Sequence, residues 1–254
     1  MVAMRWSPPK PRGCAVVVHG YLDHCGLYGH LIRHLLAQNM AVICCDLPGH
    51  GLSSGQPAHI ETFNHYLHAL QSVVEYANNH FHLPLHAVGQ STGGAIVLKQ
   101  LIEETGNTAT FTSINLLAPL HHPRLWRWLR ISYHLTKRFR RGLKRTFVSN
   151  SSSTTFVDFI RDRDPLQATF LPISWIEAMH QWALQMERSE GSEQAVTIIQ
   201  GDADKTLDWR YNLRIFSKKL PAAKIIMIAG GQHHLVNESQ CLRKKVFDAM
   251  RFSL

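Results

Sequence analysis

The 254-residue chain has the composition of a globular protein and a formal net charge of +9. Its 45% hydrophobic content argues against general disorder, and no apolar run approaches the ~20 residues that span a bilayer. Its five cysteines lack C-x-x-C spacing, which argues against a disulfide framework and a zinc site. The proline-rich N-terminus has no apolar core of a secretory signal, so we expect a cytoplasmic protein.

Short apolar runs alternate with helical patterns along the first half of the chain. This alternation is typical of a parallel sheet with crossover helices. The predicted strands are residues 14–20, 41–51, 85–91 and 110–120, and the predicted helices are 28–39, 59–81 and 93–105, the last capped by Gly106-Asn107.

The alternation breaks over residues 121–190, where helical patterns are rich in tryptophan and basic residues and no strand is convincing. It resumes with strands at 195–204 and 223–231 and helices at 209–219 and 238–252. We therefore predict an α/β fold with a mostly parallel central sheet flanked by helices. Residues 1–120 and 191–254 form its core, and residues 121–190 form a helical insertion, here called the cap.

Reactive side chains follow three of the predicted strands, at the end where open parallel sheets present functional groups. They are Ser91 within a G-x-S-x-G pattern, the acidic cluster Asp202, Asp204 and Asp208, and the pair His233-His234. A tight turn alone also explains a glycine-flanked serine. The order Ser, Asp, His along the chain is that of the α/β-hydrolase triad, which favours a nucleophile elbow at Ser91.

Each residue type suits a step of acyl transfer. A serine hydroxyl attacks only when a base removes its proton, histidine titrates near neutrality, and a carboxylate fixes the histidine tautomer. The oxyanion that forms needs backbone donors. The Tyr21 N–H, in a glycine turn after the first strand, and the Thr92 N–H, directly after the serine, are the candidates.

Five stretches carry a family resemblance: "VVVHGYLDHCGLYGHL", "CCDLPGHGLSSG", "AVGQSTGG", "GDADKTLD" and "GGQHHLVNES". Together they resemble the α/β-hydrolase branch of monoacylglycerol lipases, bacterial lysophospholipases and serine aminopeptidase-like hydrolases. The resemblance places the acid at Asp204, in a G-x-x-D pattern, and the base at His233. It implies a serine hydrolase that cleaves carboxylic esters of lipid-like substrates through an acyl-enzyme, with no metal or cofactor. The short N-terminus and the basic insertion depart from the family pattern.

The positive charge is concentrated in the cap. Nine Lys or Arg and no Asp or Glu lie between residues 124 and 145, and the other 18 basic residues balance all 18 acidic ones. Over 125–143 an apolar stripe at helical spacing comprises Leu125, Trp128, Leu129, Leu135, Phe139 and Leu143. The basic residues Arg127, Arg130, Lys137, Arg141 and Lys144 fall largely on another face.

Such an amphipathic helix either covers the active site with its charges solvated or contacts an anionic membrane surface as well. Three further cap residues at helical spacing either line an acyl tunnel or pack the cap on the core: Trp175, Met179 and Trp182. We expect Leu125, Trp128 and Leu129 to help bind substrate too.

Other functions stay open at this point. A small-ester carboxylesterase fits the same residues, and an aminopeptidase would need a cap carboxylate for the substrate ammonium, for which the candidates are Asp158, Asp162, Asp164 and Glu177. A non-catalytic ligand- or membrane-surface-binding protein on a hydrolase scaffold would not need all three triad members. Nucleic-acid binding is disfavoured because no helix-turn-helix, zinc or RNA-binding pattern accompanies the arginines.

Overall fold

The computed structural model describes residues 1–104, 109–136, 142–145 and 147–253. Its strands are β1 (Val2–Trp6), β2 (Cys14–Val18), β3 (Ala41–Asp46), β4 (Leu85–Gln90), β5 (Ser113–Leu117), β6 (Gly142–Lys144), β7 (Phe170–Pro172), β8 (Thr197–Gly201) and β9 (Lys224–Ile228). Its helices are α1 (Gly29–Ala37), α2 (Phe63–Phe81), α3 (Thr92–Glu103), α4 (Trp126–Thr136), α5 (Thr154–Asp162), α6 (Ile173–Arg188), α7 (Trp209–Lys219) and α8 (Gln240–Ala249). The predicted Gly106-Asn107 cap lies outside the described residues.

Seven strands form the central sheet in the order β1-β3-β2-β4-β5-β8-β9. All neighbours pair in parallel except β1, which runs antiparallel to β3 from Val2 opposite Asp46 to Trp6 opposite Val42. The sequence pattern did not predict β1, because its residues alternate between half-buried and exposed at the sheet edge and it forms only by pairing with β3. The mostly parallel sheet confirms the predicted fold class.

Alternation along the buried strands builds an apolar core on each face of the sheet. In β2, Val16 and Val18 join the cluster of α2 and α3, whereas Ala15 and Val17 join the cluster of α1 and α8. Successive strand side chains point to opposite faces, so a strand of consecutive apolar residues requires helices on both sides. This layering places the carboxyl ends of β4, β8 and β9 along one edge.

The cap departs from the predicted run of helices. Helix α4 is described over Trp126–Thr136, and Leu143 and Lys144 lie in β6, which pairs antiparallel with β7. The interpretation of 125–143 as one helix was therefore wrong at its end, because the pairing of a distant segment overrides local apolar spacing. Lys137 and Arg141 lie outside the described residues.

Across the described ranges, no helix is both long and apolar enough to cross a bilayer.

Candidate active site

Ser91 occupies the strained corner between β4 and α3. Its backbone has φ 53° and ψ −113°, outside the regions that ordinary residues prefer. The corner is tight enough to exclude side chains on either side. A Cβ on Gly89 would lie 2.6 Å from the Gly93 carbonyl oxygen, and a Cβ on Gly93 would lie 2.0 Å from the Val18 carbonyl oxygen. The glycines of G-x-S-x-G are thus required by close backbone approach, which is the geometry of a nucleophile elbow.

The structure brings Ser91, His233 and Asp204 into one hydrogen-bonded chain. The Ser91 Oγ lies 2.9 Å from His233 Nε2, and His233 Nδ1 lies 2.8 Å from Asp204 Oδ2. A carboxylate can only accept, so Nδ1 carries the proton and Nε2 presents its lone pair to the serine hydroxyl. This is the tautomer that a general base needs.

Asp204 is held by four hydrogen bonds. Its Oδ1 accepts from the backbone N–H groups of Thr206 (2.7 Å) and Leu207 (3.1 Å), and its Oδ2 accepts from Gln200 Nε2 (3.2 Å) as well as from His233. Burial alone would raise the pKa of Asp204, but the charge and hydrogen bond of His233 and the two N–H groups bring it below its ordinary value. The carboxylate is therefore ionised where it faces the imidazole.

The partner charge of Asp204 also acts on the base. Burial favours the neutral form of His233, but the charge and hydrogen bond of Asp204 outweigh it and raise the His233 pKa above its ordinary value. The His233 carbonyl accepts a 2.9 Å hydrogen bond from Gln90 Nε2, which ties the histidine loop to the residue before the nucleophile.

Two backbone N–H groups beside Ser91 are open for an incoming oxygen. Within the described residues, neither the Tyr21 nor the Thr92 N–H donates to a protein acceptor. Thr92 is the first residue of α3, where N–H groups are free and the helix dipole favours negative charge. The turn at Gly20 lies close to the nucleophile, since a Cβ there would be 3.4 Å from the Ser91 Cβ.

The neighbouring residues that the sequence left as alternatives have other partners. Asp202 accepts from the Gly230 N–H at 2.7 Å on the surface, and Asp208 caps α7 by accepting from Tyr211 N–H at 3.3 Å. His234 contacts Asp23, with 3.1 Å between Nε2 and Oδ2. Of these neighbours, none occupies the position next to Ser91.

A model of the family "serine aminopeptidase, S33" matches residues 9–240. The chain belongs to this family of α/β hydrolases. It is 36% identical over 94 residues to a monoacylglycerol lipase of Mycolicibacterium smegmatis, covering 36% of this chain and 34% of that protein. It is 32% identical over 117 residues to the Homo sapiens monoglyceride lipase, covering 45% of this chain and 38% of that protein. The matched segments thus span little more than a third of these relatives' lengths.

The solved structure of a monoglyceride lipase variant from Saccharomyces cerevisiae, in complex with a substrate analog, superposes with a TM-score of 0.83. That comparison covers 97% of this chain and 88% of the other at 17% identity, so it shows the fold. The predicted family and the α/β-hydrolase fold are confirmed.

Residues of α6 pack the cap against the core. The Trp175 ring stacks with 3.7 Å between centroids on the ring of Tyr21, the residue whose N–H is a candidate oxyanion donor. Trp182 stacks on Phe63 at 5.8 Å and donates from Nε1 to the Leu120 carbonyl at 3.3 Å. Met179 is buried in the same cluster. Of the predicted cap residues on α6, Trp175 borders the site, and the other two pack the cap on the core.

Residues of α4 lie differently from the predicted stripe. Trp126 and Tyr133 are buried, whereas Leu125 and Trp128 are 66% and 70% exposed, and Leu129 is half-buried against the core. Leu125 and Trp128 line a cavity of about 830 Å³ between α4, α6 and the loop that carries Asp204.

Arg145 is a half-buried cation of the cap that the sequence pattern did not single out, and it donates to the Gln167 side chain and the Ala168 carbonyl. Burial lowers the pKa of its guanidinium, while the charge of Asp23 and the nearby Tyr21 and Asp164 act in the opposite direction. Its positive charge therefore lies near the Tyr21 turn. Nine basic residues share that stretch of sequence, so no local signal distinguishes this one.

Three side chains in the described ranges could approach one metal ion. Ligand atoms of His121, His122 and Glu187 lie within 4.8 Å of one another, at the two chain connections of the cap. The imidazole planes are nearly parallel (7°) with centroids 4.4 Å apart, so their in-plane lone pairs do not converge on one point without ring rotation. Both rings instead stack on Tyr211, whose hydroxyl donates to Glu187 at 3.0 Å.

Proposed function

We propose that this protein is a serine hydrolase that cleaves a carboxylic ester of a lipid-like substrate through an acyl-enzyme. The observation that carries the proposal is the continuous chain from Ser91 Oγ through His233 to Asp204, beside two free backbone N–H groups. A merely structural hydrogen-bond network does not need the strained backbone at Ser91.

In the acylation step, Ser91 Oγ attacks the ester carbonyl carbon as His233 Nε2 takes its proton. The carbonyl oxygen becomes an oxyanion that the N–H groups of Tyr21 and Thr92 bind, and each such donor lowers the barrier by about 3 kcal/mol. Asp204 stabilises the imidazolium that forms. His233 then protonates the leaving alcohol oxygen as the carbon–oxygen bond of the ester breaks.

In the deacylation step, water replaces the alcohol. His233 removes a proton from that water, which attacks the acyl carbon, and the same two N–H groups bind the second oxyanion. The imidazolium returns its proton to Ser91 Oγ as the acid product leaves. No step requires a group beyond these side chains and backbone amides.

The substrate class follows from the cap and the relatives. Ser91 is only 8% exposed, beneath a cap that stacks Trp175 on the Tyr21 ring, so the scissile ester must enter between apolar and aromatic surfaces. Leu125 and Trp128 line the cavity that Asp204 also borders, and Leu129 packs against the core. We propose monoacylglycerol, in keeping with the names of the two sequence relatives, or a lysophospholipid.

The aminopeptidase alternative lacks a free anchor among its four candidate carboxylates. Asp158 and Asp162 pair with Arg161 at 2.7 and 2.8 Å, Asp164 pairs with His24 at 3.0 Å, and Glu177 accepts from a glutamine amide. The charge of each carboxylate is therefore already compensated by a protein donor, whereas ester hydrolysis needs no anionic anchor.

Intact mass after incubation with a fluorophosphonate tests the nucleophile. We expect one adduct on the wild type, none on Ser91→Ala, and one on the control Ser217→Ala, which removes an exposed hydroxyl from α7. An adduct that survives in Ser91→Ala, or none on folded wild type, would overturn the proposal and favour a non-catalytic binding protein.

A substrate panel then tests the class. We expect kcat/KM on a long-chain monoacylglycerol or lysophospholipid to exceed that on a two-carbon p-nitrophenyl ester by at least tenfold, because each methylene that leaves water contributes about 0.8 kcal/mol. Equal rates would indicate a small-ester carboxylesterase. Cleavage of amino-acid p-nitroanilides instead would indicate an aminopeptidase.

We propose further that the exposed face of α4 contacts an anionic membrane surface. Trp128 and Ile131, 70% and 51% exposed, lie on the same helix as the exposed cations Arg127 and Arg130. Lys144 adds an exposed charge on β6. Apolar side chains that enter the interface and cations that meet lipid phosphates are the two contributions that hold a helix on a bilayer.

Sedimentation with phosphatidylserine-containing vesicles tests this contact. We expect the bound fraction to fall at 0.5 M salt and in the double variant Arg127→Glu, Arg130→Glu. The control double variant Lys218→Glu, Lys245→Glu has the same charge change at exposed positions of α7 and α8 and should bind as the wild type does. If both double variants lost the same bound fraction, vesicle binding would depend on net charge alone and not on α4. A wild type that does not bind vesicles at low salt would refute the contact.

A further inference from the structure

A second carboxylate–imidazole pair lies beside the triad. Asp23 Oδ2 accepts from His234 Nε2 (3.1 Å), from the Tyr28 hydroxyl (2.9 Å) and from the Gly20 N–H (3.2 Å). The side chains of Asp23 and His234 are 12% and 3% exposed. A buried charge is unfavourable unless donors such as these surround it. The catalytic steps above do not use the Asp23–His234 pair.

The network fixes the peptide that bears the Tyr21 donor. The Gly20 N–H is held by Asp23 Oδ2 and also by the Tyr28 hydroxyl at 3.0 Å. The Gly20 carbonyl lies 2.7 Å from His19 Nδ1, and His19 Nε2 accepts from the Leu47 N–H, so Nδ1 carries the proton and donates. Hydrogen bonds therefore hold both the N–H and the carbonyl of Gly20, which fixes the direction of the Tyr21 N–H.

The other end of the network is the residue after the catalytic histidine. Since a carboxylate only accepts, His234 Nε2 donates to Asp23, and its Nδ1 faces the Asn237 amide nitrogen at 3.5 Å. Asn237 also donates to the Leu27 carbonyl at 2.7 Å. Two ties thus join the segment that follows the oxyanion turn to the segment that follows His233.

We propose that Asp23 and His234 are positioning residues that lock the Tyr21 oxyanion donor to the loop of the catalytic base. The inference rests on the proposed function. A base and an oxyanion donor must keep a fixed separation while the tetrahedral intermediate forms, and a displacement of about 1 Å costs about a hundredfold in rate. They belong to loops 212 residues apart in sequence, at Tyr21 and His233, and Asp23–His234 is a direct bond between those loops.

The charge of Asp23 contributes to the same site. Burial would raise its pKa, but His234 above all, with His19 and Tyr28, lowers it below its ordinary value, so Asp23 is ionised. Its negative charge adds to that of Asp204 in raising the His233 pKa.

Steady-state hydrolysis of p-nitrophenyl butyrate by His234→Phe, His234→Gln and Asp23→Asn tests the proposal. Phenylalanine keeps a ring against Phe156 and Tyr28 but removes the donor, and the glutamine amide restores a donor near the Nε2 position. His65→Phe, an exposed histidine on α2, is the matched control.

For His234→Phe we expect a tenfold to hundredfold loss of kcat with KM changed less than threefold, recovery to within threefold of wild type in His234→Gln, and no change in the control. Because both residues act through one bond, the Asp23→Asn, His234→Phe double variant should lose no more than the worse single variant. Asp23→Asn should also move the acid limb of kcat/KM to lower pH, since the negative charge that raises the His233 pKa is gone.

Three results would overturn the inference: kcat of His234→Phe within twofold of wild type, glutamine as damaging as phenylalanine, or additive losses in the double variant. If the wild type forms a fluorophosphonate adduct, any of these three results refutes the positioning role of Asp23 and His234 and leaves the proposed function standing. A wild type with neither adduct nor turnover would overturn both.

Discussion

Replacing Asp204 with asparagine tests how the catalytic base is oriented, because it changes the partner of His233 Nδ1 and leaves the surrounding backbone contacts in place. In the wild type, the Thr206 and Leu207 N–H groups lie 2.7 and 3.1 Å from Asp204 Oδ1. The carbonyl oxygen of the asparagine side chain can still accept from both. The amide nitrogen then takes the Oδ2 position, 2.8 Å from His233 Nδ1. Two donors cannot face each other there, so the imidazole must carry its proton on Nε2 and point it at Ser91.

The size of the effect is set by that tautomer. With Nε2 protonated, His233 cannot remove the serine proton, and the loss in kcat should be about 10⁴-fold, or about 5 kcal/mol of transition-state stabilisation. The free energy of unfolding should fall by only about 1.5–3 kcal/mol, the value of one hydrogen bond to a charged group, because Gln200 Nε2 loses its acceptor at the Oδ2 position while the two backbone contacts remain. Hydrolysis of p-nitrophenyl butyrate and urea unfolding measure the two quantities on the same protein.

Asp202→Asn is the matched control, since its exposed carboxylate two residues away accepts only from the Gly230 N–H among described groups. It should keep kcat within twofold of wild type. If Asp204→Asn kept activity within tenfold while Asp202→Asn lost it, the assignment of Asp204 as the orienting acid would be wrong. A folded Asp204→Asn protein with wild-type kcat would refute the tautomer argument itself.

Three further outcomes follow from the geometry. Gly93→Ala places a Cβ 2.0 Å from the Val18 carbonyl oxygen, so it should lower the free energy of unfolding by about 3 kcal/mol in urea titration; an unchanged midpoint would contradict the close approach. The kcat/KM profile should fall as pH drops through a midpoint above 6.5, because His233 is active only when neutral and its pKa is raised above that ordinary value; a midpoint below 6.5 would show that burial outweighs Asp204. Native protein should take one N-ethylmaleimide by intact mass, at the exposed Cys241, and denatured protein five, since the other four thiols are buried; more than one native adduct would contradict that burial.

Much of the fold and of the candidate site could be predicted from the sequence, because the signals are local. Runs of Val, Ile and Cys mark β2 and β3, helical spacing marks α2, and the glycines around Ser91 mark the elbow. The acid and the base follow the same rule, since each comes directly after a strand whose carboxyl end lies at the same sheet edge. Asp204 and His233 are the members of their clusters that contact one another, and His233 also contacts Ser91.

Other features depend on contacts between segments distant in the chain. β1 and β6 are only five and three residues long and form by pairing with β3 and β7, so neither is long enough to be recognised alone. Which residues of this segment are buried depends on what packs against it: Trp126 and Tyr133 are buried, whereas Leu125 and Trp128 are exposed and line the cavity beside Asp204.

The network around Asp23 is the clearest case of a feature that no local pattern encodes. A carboxylate and a histidine far apart in sequence have no joint signature, whereas in the fold they share a hydrogen bond beside the nucleophile. The elements, their order and the reactive residue types are readable along the chain, because backbone propensity and side-chain periodicity act over a few residues. The placement of those residues within hydrogen-bond distance required the packed sheet, because directional bonds form only between groups that the whole chain has already brought together.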